Sequence, residues 1–172
     1  GTAISPASGT MNKVLLSPAA NPDGATNADG VYVITTNSAV TISNCRIVGT
    51  LVVVCPGKTV TIDTGVFMQP ARPDYPALIV DGNLVVQSNS AAPLSEASAQ
   101  TNFNPAGTPY LGATDSDTLD QYPCEIDGLV VTDVFGDRQL VRPAGTGSEN
   151  DWQHWSMFSL SNRGAIDEYN RQ

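Results

Sequence analysis

Carboxylates are the main chemical resource of this chain. Seventeen Asp and Glu stand against eight Lys and Arg, with a single histidine. The densest group is Asp115-Ser116-Asp117-Thr118-Leu119-Asp120, three carboxylates in six residues. Oxygen donors at that density suit a hard cation such as Ca2+. The run lacks the glycine and the distal glutamate of an EF-hand loop, however, and an ordinary acidic loop has the same composition. Asp81 and Asp133 form a second group, because each closes a short run of branched apolar residues. On neighbouring strands they would lie one strand spacing apart. Two carboxylates that close do not both ionise cheaply, so one keeps a proton or a cation sits between them. That makes Asp81 and Asp133 candidate Ca2+ ligands; the alternative is two solvated corner residues that splay apart.

Positive groups are few. A polysaccharide lyase needs a base to take an α-proton and a cation to hold the substrate uronate. Arg72, with Asp63, Asp74 and Asp81 near it in sequence, can be written into that scheme. Arg72 and Asp63 are therefore the candidate ligand-contacting residues, and simple surface pairing is the plainer account of them. Arg46 and Arg138 are the other bases close to the apolar runs. His154 lies between Trp152 and Trp155, and no G-x-S-x-G elbow accompanies it. The two tryptophans could stack on sugar rings or close an apolar core. Cys45, Cys55 and Cys124 show no C-x-x-C and no metal-ligand spacing, so buried thiols or a single Cys55–Cys124 bridge are the options. No catalytic residue and no cofactor other than Ca2+ is assigned.

These side chains are carried on a repeat. Val31-Tyr32-Val33-Ile34 falls on Leu51-Val52-Val53-Val54 after twenty residues, Ala39-Val40-Thr41-Ile42 on Thr59-Val60-Thr61-Ile62, and Ile47-Val48 on Phe67-Met68. A period near twenty, built of short β-rich runs and polar turns, is the pattern of stacked coils. Val40 and Ile42 alternate with Thr41, as Val60 and Ile62 do with Thr61, so the branched pairs point inward and stack at about 4.8 Å per coil. Pro56-Gly57, Asp63-Thr64-Gly65 and Asp81-Gly82-Asn83 supply corners. One ladder then runs Thr35, Cys55, Asp81, Asp133.

The division that follows is a single unit over 1–172. Residues 1–30 are an N-terminal cover, with only Val14-Leu15-Leu16 able to form a strand. Residues 31–86 hold coils one to three, with an outward loop at Pro70–Pro76. Residues 87–124 are a long loop without periodicity, of a length that is usually functional or disordered. Residues 125–150 form a fourth coil, with Leu129–Asp133 aligned on Ala77–Asp81. Residues 151–172 are a short helical cap, with Asp151 as N-cap before Trp152, Trp155, Met157, Phe158 and Leu160.

Composition narrows the function classes. A net charge of −9 and only two lysines, Lys13 and Lys58, leave no basic stripe for phosphates, which argues against nucleic acid and against an anionic membrane surface. No apolar run approaches the roughly 18 residues of a bilayer span. The chain opens on Gly1 with no visible signal peptide, which points to a form whose export or anchor segment has been removed.

The coils with inward Val, Ile and Leu resemble the right-handed parallel β-helix class. The Val-Thr-Ile and Leu-Val-Val triplets are similar to runs in bactofilin-like polymer-forming modules, and outer acidic and basic residues look like those of pectate-lyase-like proteins. The likeness covers Val31–Val86 and Ile126–Asp133 and is one of pattern. It implies an all-β solenoid of about four short coils. The first family implies a non-catalytic structural or adhesive module, secreted or in the cell envelope, that self-associates. The second implies a carbohydrate-binding or polysaccharide-degrading protein, with Pro70–Pro76 and Gln87–Cys124 walling a groove around Asp81 and Asp133.

Overall fold

The computed structural model describes residues 1–87, 92–133 and 155–159, and at Asp133 and over 155–159 it describes the backbone alone. The described residues are almost wholly strand and loop. Three segments that the sequence marked as a cover are strands: β1 (Thr2–Ala3), β2 (Thr10–Asn12) and β3 (Leu15–Leu16). They are followed by β4 (Val31–Thr35), β5 (Val40–Ser43), β6 (Cys45–Val48), β7 (Thr50–Ile62), β8 (Val66–Gln69) and β9 (Leu78–Val86). The long loop adds β10 (Leu94–Ser95), helix α1 (Glu96–Ala99) and β11 (Gln121–Tyr122). Then come β12 (Glu125–Ile126), β13 (Gly128–Asp133) and β14 (Trp155–Ser159).

Apart from an antiparallel pair between β10 and β11, the pairings are parallel. One sheet runs β1-β4-β7-β9-β13-β14, with β2 and β5 joined to it through β7, and a second runs β3-β6-β8-β12. The register lines up buried residues in rows. Tyr32 pairs with Leu51, Leu51 with Leu78, and Leu78 with Val130. A second row is Met11, Ile42, Ile62 and Val86, and a third is Leu16, Ile47, Met68 and Ile126. All of these residues are buried and belong to one apolar cluster. Burying a side chain of this size contributes roughly 1.5–3 kcal/mol, and the rows supply it at each strand.

The register corrects the expected repeat. The second runs pair twenty residues apart, Val40 with Val60, as the sequence indicates. The first runs pair nineteen apart, Val31 with Thr50, and the third runs twenty-one apart, Ile47 with Met68. Turn length is the cause: between the paired strands, Asp63-Thr64-Gly65 holds one residue more than Ser43-Asn44, and Cys55–Thr59 one more than Thr36–Ala39. Because side chains alternate, each one-residue slip exchanges the inner and outer faces. Cys55 therefore leaves the expected ladder, which runs Thr35, Val54, Asp81, Asp133.

Other expectations change as well. β7 and β9 run on through the presumed corners Pro56-Gly57 and Asp81-Gly82-Asn83, with a register shift between Val54 and Thr59. Gly82 makes the continuous path feasible. Its φ is +152°, and a Cβ there would meet the Cys55 sulfur at 2.8 Å. Glu125 and Ile126 pair with β8, so they complete the third set of strands and do not open a fourth. The expected C-terminal helical cap is instead a strand where it is described: β14 pairs in parallel with β13. The open edge of β13 offers unpaired N–H and C=O groups, and they outweigh the weak helical spacing of Trp155, Met157 and Phe158. Residues 134–154, with Arg138, Trp152 and His154, and the tail 160–172 lie outside the described residues. No helix among the described residues is long and apolar enough to cross a membrane.

Candidate functional site

Strand alternation in β3, β6 and β8 sorts side chains to two faces. Leu16, Cys45, Ile47, Val66 and Met68 enter the cluster between the sheets. Leu15, Arg46 and Phe67 lie side by side in register on the opposite face. Segment 92–124 folds over that face and buries it with Leu94, Ala99, Phe103 and Tyr122, while Tyr110 packs alongside. The long loop is thus a second, smaller core laid on the outside of a sheet.

Arg46 is the centre of this core and is fully buried. Its Nη1 donates to the carbonyls of Phe103 at 2.6 Å and Thr108 at 3.0 Å, and its Nη2 to that of Pro109 at 2.7 Å. The guanidinium carbon lies 5.2 Å from the Tyr122 ring centroid and 5.3 Å from that of Tyr110. Carbonyl dipoles and ring faces stand in for water around a charge that would otherwise be too costly to bury. Burial pulls the Arg46 pKa down, while Tyr122, Tyr110 and Glu96 pull it back up. With both terminal nitrogens committed to loop carbonyls, Arg46 anchors the loop and does not present itself to an anionic substrate.

Glu96 is the matching buried anion. Ser95 caps the short helix α1, its side chain accepting from the Ser98 N–H at 3.3 Å, and this places Glu96 in the first turn. Its carboxylate accepts from the Phe103 N–H at 2.5 Å, the Tyr122 hydroxyl at 2.8 Å and the Asp120 N–H at 3.2 Å. Burial, and then the bond to Glu96, push the Tyr122 phenol well above its ordinary value. Beside Glu96 lie Asp115 and Asp117, both exposed, with one oxygen of each of the three carboxylates within 4.8 Å of the others. Asn104 links Asp115 to Asp120: its Nδ2 donates to both, at 3.2 and 2.8 Å. Desolvation, then Asp115 and Glu96, raise the Asp120 pKa, while the Asn104 bond lowers it.

The other candidate residues are scattered. Asp81 and Asp133 are register partners on β9 and β13, as the sequence indicates, and the Asp81 side chain is exposed. Arg72 is exposed, pairs with Asp29 at 3.0 Å and Asp74 at 3.4 Å, and lies over the Tyr75 ring. Asp63 accepts from the N–H and hydroxyl of Thr64. It also lines a shallow hollow with Ile62, Val66, Val86 and Cys124, to which Arg72 does not contribute. All three cysteines are free, so the Cys55–Cys124 bridge is not formed. Sequence reasoning passed over the burial of Arg46 and the role of Glu96. The signal appears only with the register: Arg46 occupies a strand position that its neighbours fill with Leu15 and Phe67, and a charge in an apolar row requires a dedicated partner. Comparison with known proteins gives no match, whether by family model, by protein sequence or by solved structure.

Proposed function

We propose that this chain is a right-handed parallel β-helix serving as a non-catalytic structural or adhesive module, secreted or held in the cell envelope. The observation that carries the reading is the set of three inward rows, of which Met11-Ile42-Ile62-Val86 is the most evenly spaced. Parallel strands paired in sequence order, at offsets of nineteen to twenty-one residues where β4, β5 and β6 meet β7 and β8 and at longer offsets where loops intervene, are what successive turns of one helix produce. The right hand follows the general rule for parallel crossovers. Stiffness follows from such rows, because each inner strand is held by its neighbours on both sides.

The loop core supports a non-catalytic role. Its one buried cation is spent on backbone carbonyls, and Arg72 is spent on Asp29 and Asp74. Edge strands of a sheet present unpaired N–H and C=O groups, so association of copies end to end is the expected mode of assembly. Light scattering over a wide concentration range, together with a glycan array and a uronate-lyase absorbance assay, tests the proposal. Concentration-dependent association with no glycan signal and no turnover is the expected result. Strict monomers that cleave or bind a polysaccharide would establish the carbohydrate-active alternative instead.

A further inference from the structure

We infer that the outer face of β4, the first half of β7, the first half of β9 and β13 packs against the same face of a second copy of this chain. Alternation turns Tyr32, Leu51, Leu78 and Val130 inward and the residues that follow them outward. Those outward residues, Val33, Val52, Ile79 and Val131, are register partners in a single row. All four are half-buried, and none belongs to either apolar cluster. Gly1 reaches one end of the row, where a Cβ on it would lie 2.8 Å from Val33 Cγ2.

The other two outer faces give the measure of this one. Where β2 and β5 meet the second halves of β7 and β9, the outward row is Thr10, Thr41, Thr61 and Val85, so three of its four positions carry a hydroxyl that water can serve. On β3, β6 and β8 the outward positions hold Leu15 and Phe67, and there segment 92–124 folds over them. One face is polar, and one is apolar and covered by its own chain. The row from Val33 to Val131 is apolar and joins neither core. Parallel sheets are as a rule buried on both faces, and aliphatic residues on both sides of a strand are the mark of it.

Charge, symmetry and area select a second copy as the occupant. The row holds no charge and no hydrogen-bonding side chain, so its complement is another dry aliphatic face, and each copy carries one. A two-fold axis parallel to the strands, between β7 and β9, sets Val33 on Val131 of the second copy and Val52 on Ile79, and the match repeats from the other side. The flanking ladder of Thr35, Val54, Asp81 and Asp133 then meets its mate in reverse order, so position 81 faces 54 and position 133 faces 35. No carboxylate position faces another, which matters for a chain of net charge −9. The same charge disfavours an anionic lipid surface. Six strands at about 4.8 Å and five residues at about 3.3 Å give a face of roughly 400 Å2. A standard interface takes about 800 Å2 from each partner. Single copies therefore pair weakly, and two copies stacked end to end offer the full area; this cooperation rests on the assembly proposed above.

Cross-linking reads the face alone. Val52→Cys and Ile79→Cys are made as separate chains, each with Cys124→Ser, so that the remaining native thiols, Cys45 and Cys55, are buried. A short bismaleimide suits the ~10 Å separation of stacked sheets. In concentrated mixtures the two chains should cross-link to each other about tenfold faster than either does to itself. The double variant Val52→Thr, Ile79→Thr copies the outward Thr41 and Thr61. It should melt like the parent and associate about tenfold more weakly. Light scattering reads the ends separately, because end-to-end contact grows beyond dimers. Growth without a preference of position 52 for position 79 would overturn the inference and leave end-to-end assembly standing. Preferential cross-linking without growth beyond dimers would support the face and overturn the end-to-end contact. Absence of any cross-link, or unchanged association in the folded double variant, would also overturn the inference.

Discussion

In the paired rows, a buried position meets a branched or long apolar side chain from the next strand, as Leu51 meets Tyr32 on one side and Leu78 on the other. In the loop core, laid on the outer face of β3, β6 and β8, the buried positions include a guanidinium and a carboxylate, each with its own set of donors or acceptors. The rows gain stability by repetition, and any one residue is supported by others of its kind. The loop has no repeat to rely on. It is held at two points, Arg46 and Glu96, and ring packing among Phe67, Phe103, Tyr110 and Tyr122 fills the space between them. Repetition therefore builds a scaffold tolerant of small changes, whereas polar anchoring fixes one conformation of an irregular segment at the risk of losing it with one residue.

The largest effect should come from a charge in a row. Leu51→Asp puts a carboxylate between Tyr32 and Leu78 with no donor supplied, a defect expected to exceed about 4–5 kcal/mol. Circular dichroism should show loss of the cooperative transition. Next is Arg46→Ala, which strips three loop carbonyls of their donor and leaves Glu96 without the nearby positive charge. A cost of roughly 3–5 kcal/mol is expected. Hydrogen exchange decides what the number means. Deprotection concentrated in 94–122, with the rows retained, keeps the two regions distinct. Uniform deprotection would make them one cooperative unit and break the comparison.

The same contrast explains how much could be read from the chain. The parallel strands at Val40–Ser43 and Val60–Ile62 were legible because alternation of Val, Thr and Ile carries its own period. The pairing of Asp81 with Asp133 was legible for the same reason. The slips at Val31 and Ile47 were not, because the offset depends on single residues in the turns, and a twenty-residue period averages over them. The Asp115–Asp120 carboxylates were visible as a group. Their meeting with Glu96 and Asn104 was not, because a loop without periodicity says nothing about which of its distant residues touch. Arg46 illustrates the limit: its neighbours in register, Leu15 and Phe67, mark the position as apolar only once the register is known.

A pH titration sharpens the comparison at a smaller scale. Burial pushes the Cys45 thiol up from 9.0 to about 11, and Cys55 shifts the same way through burial and then Asp81. A group whose folded pKa is raised binds its proton more tightly in the native state. Its stabilisation is complete below the unfolded value and disappears as pH rises through the folded one. For Cys45 this is a loss of roughly 2–3 kcal/mol between about pH 9 and 11. Denaturant melts should show that slope, and Cys45→Val, which keeps an apolar side chain beside its register partner Val66 in the cluster between the sheets, should reduce it.

The smallest effect belongs to the loop. Tyr122→Phe keeps the ring beside Arg46, Phe67 and Tyr110 and removes only the hydroxyl that donates to Glu96 at 2.8 Å. A bond to a buried charge of this kind is worth about 1.5 kcal/mol. The loss should appear as faster exchange in 94–122 with the rows unchanged. The phenol ordinarily titrates near 10.0 and is raised in the fold, so its contribution falls away only above that pH, after the thiol slope has begun. Tyr122→Phe should therefore flatten the upper part of the alkaline profile and Cys45→Val the lower part. If either variant altered both parts, loop and rows would share their stability, and the anchoring of 94–122 by Arg46 and Glu96 would not be a separate device.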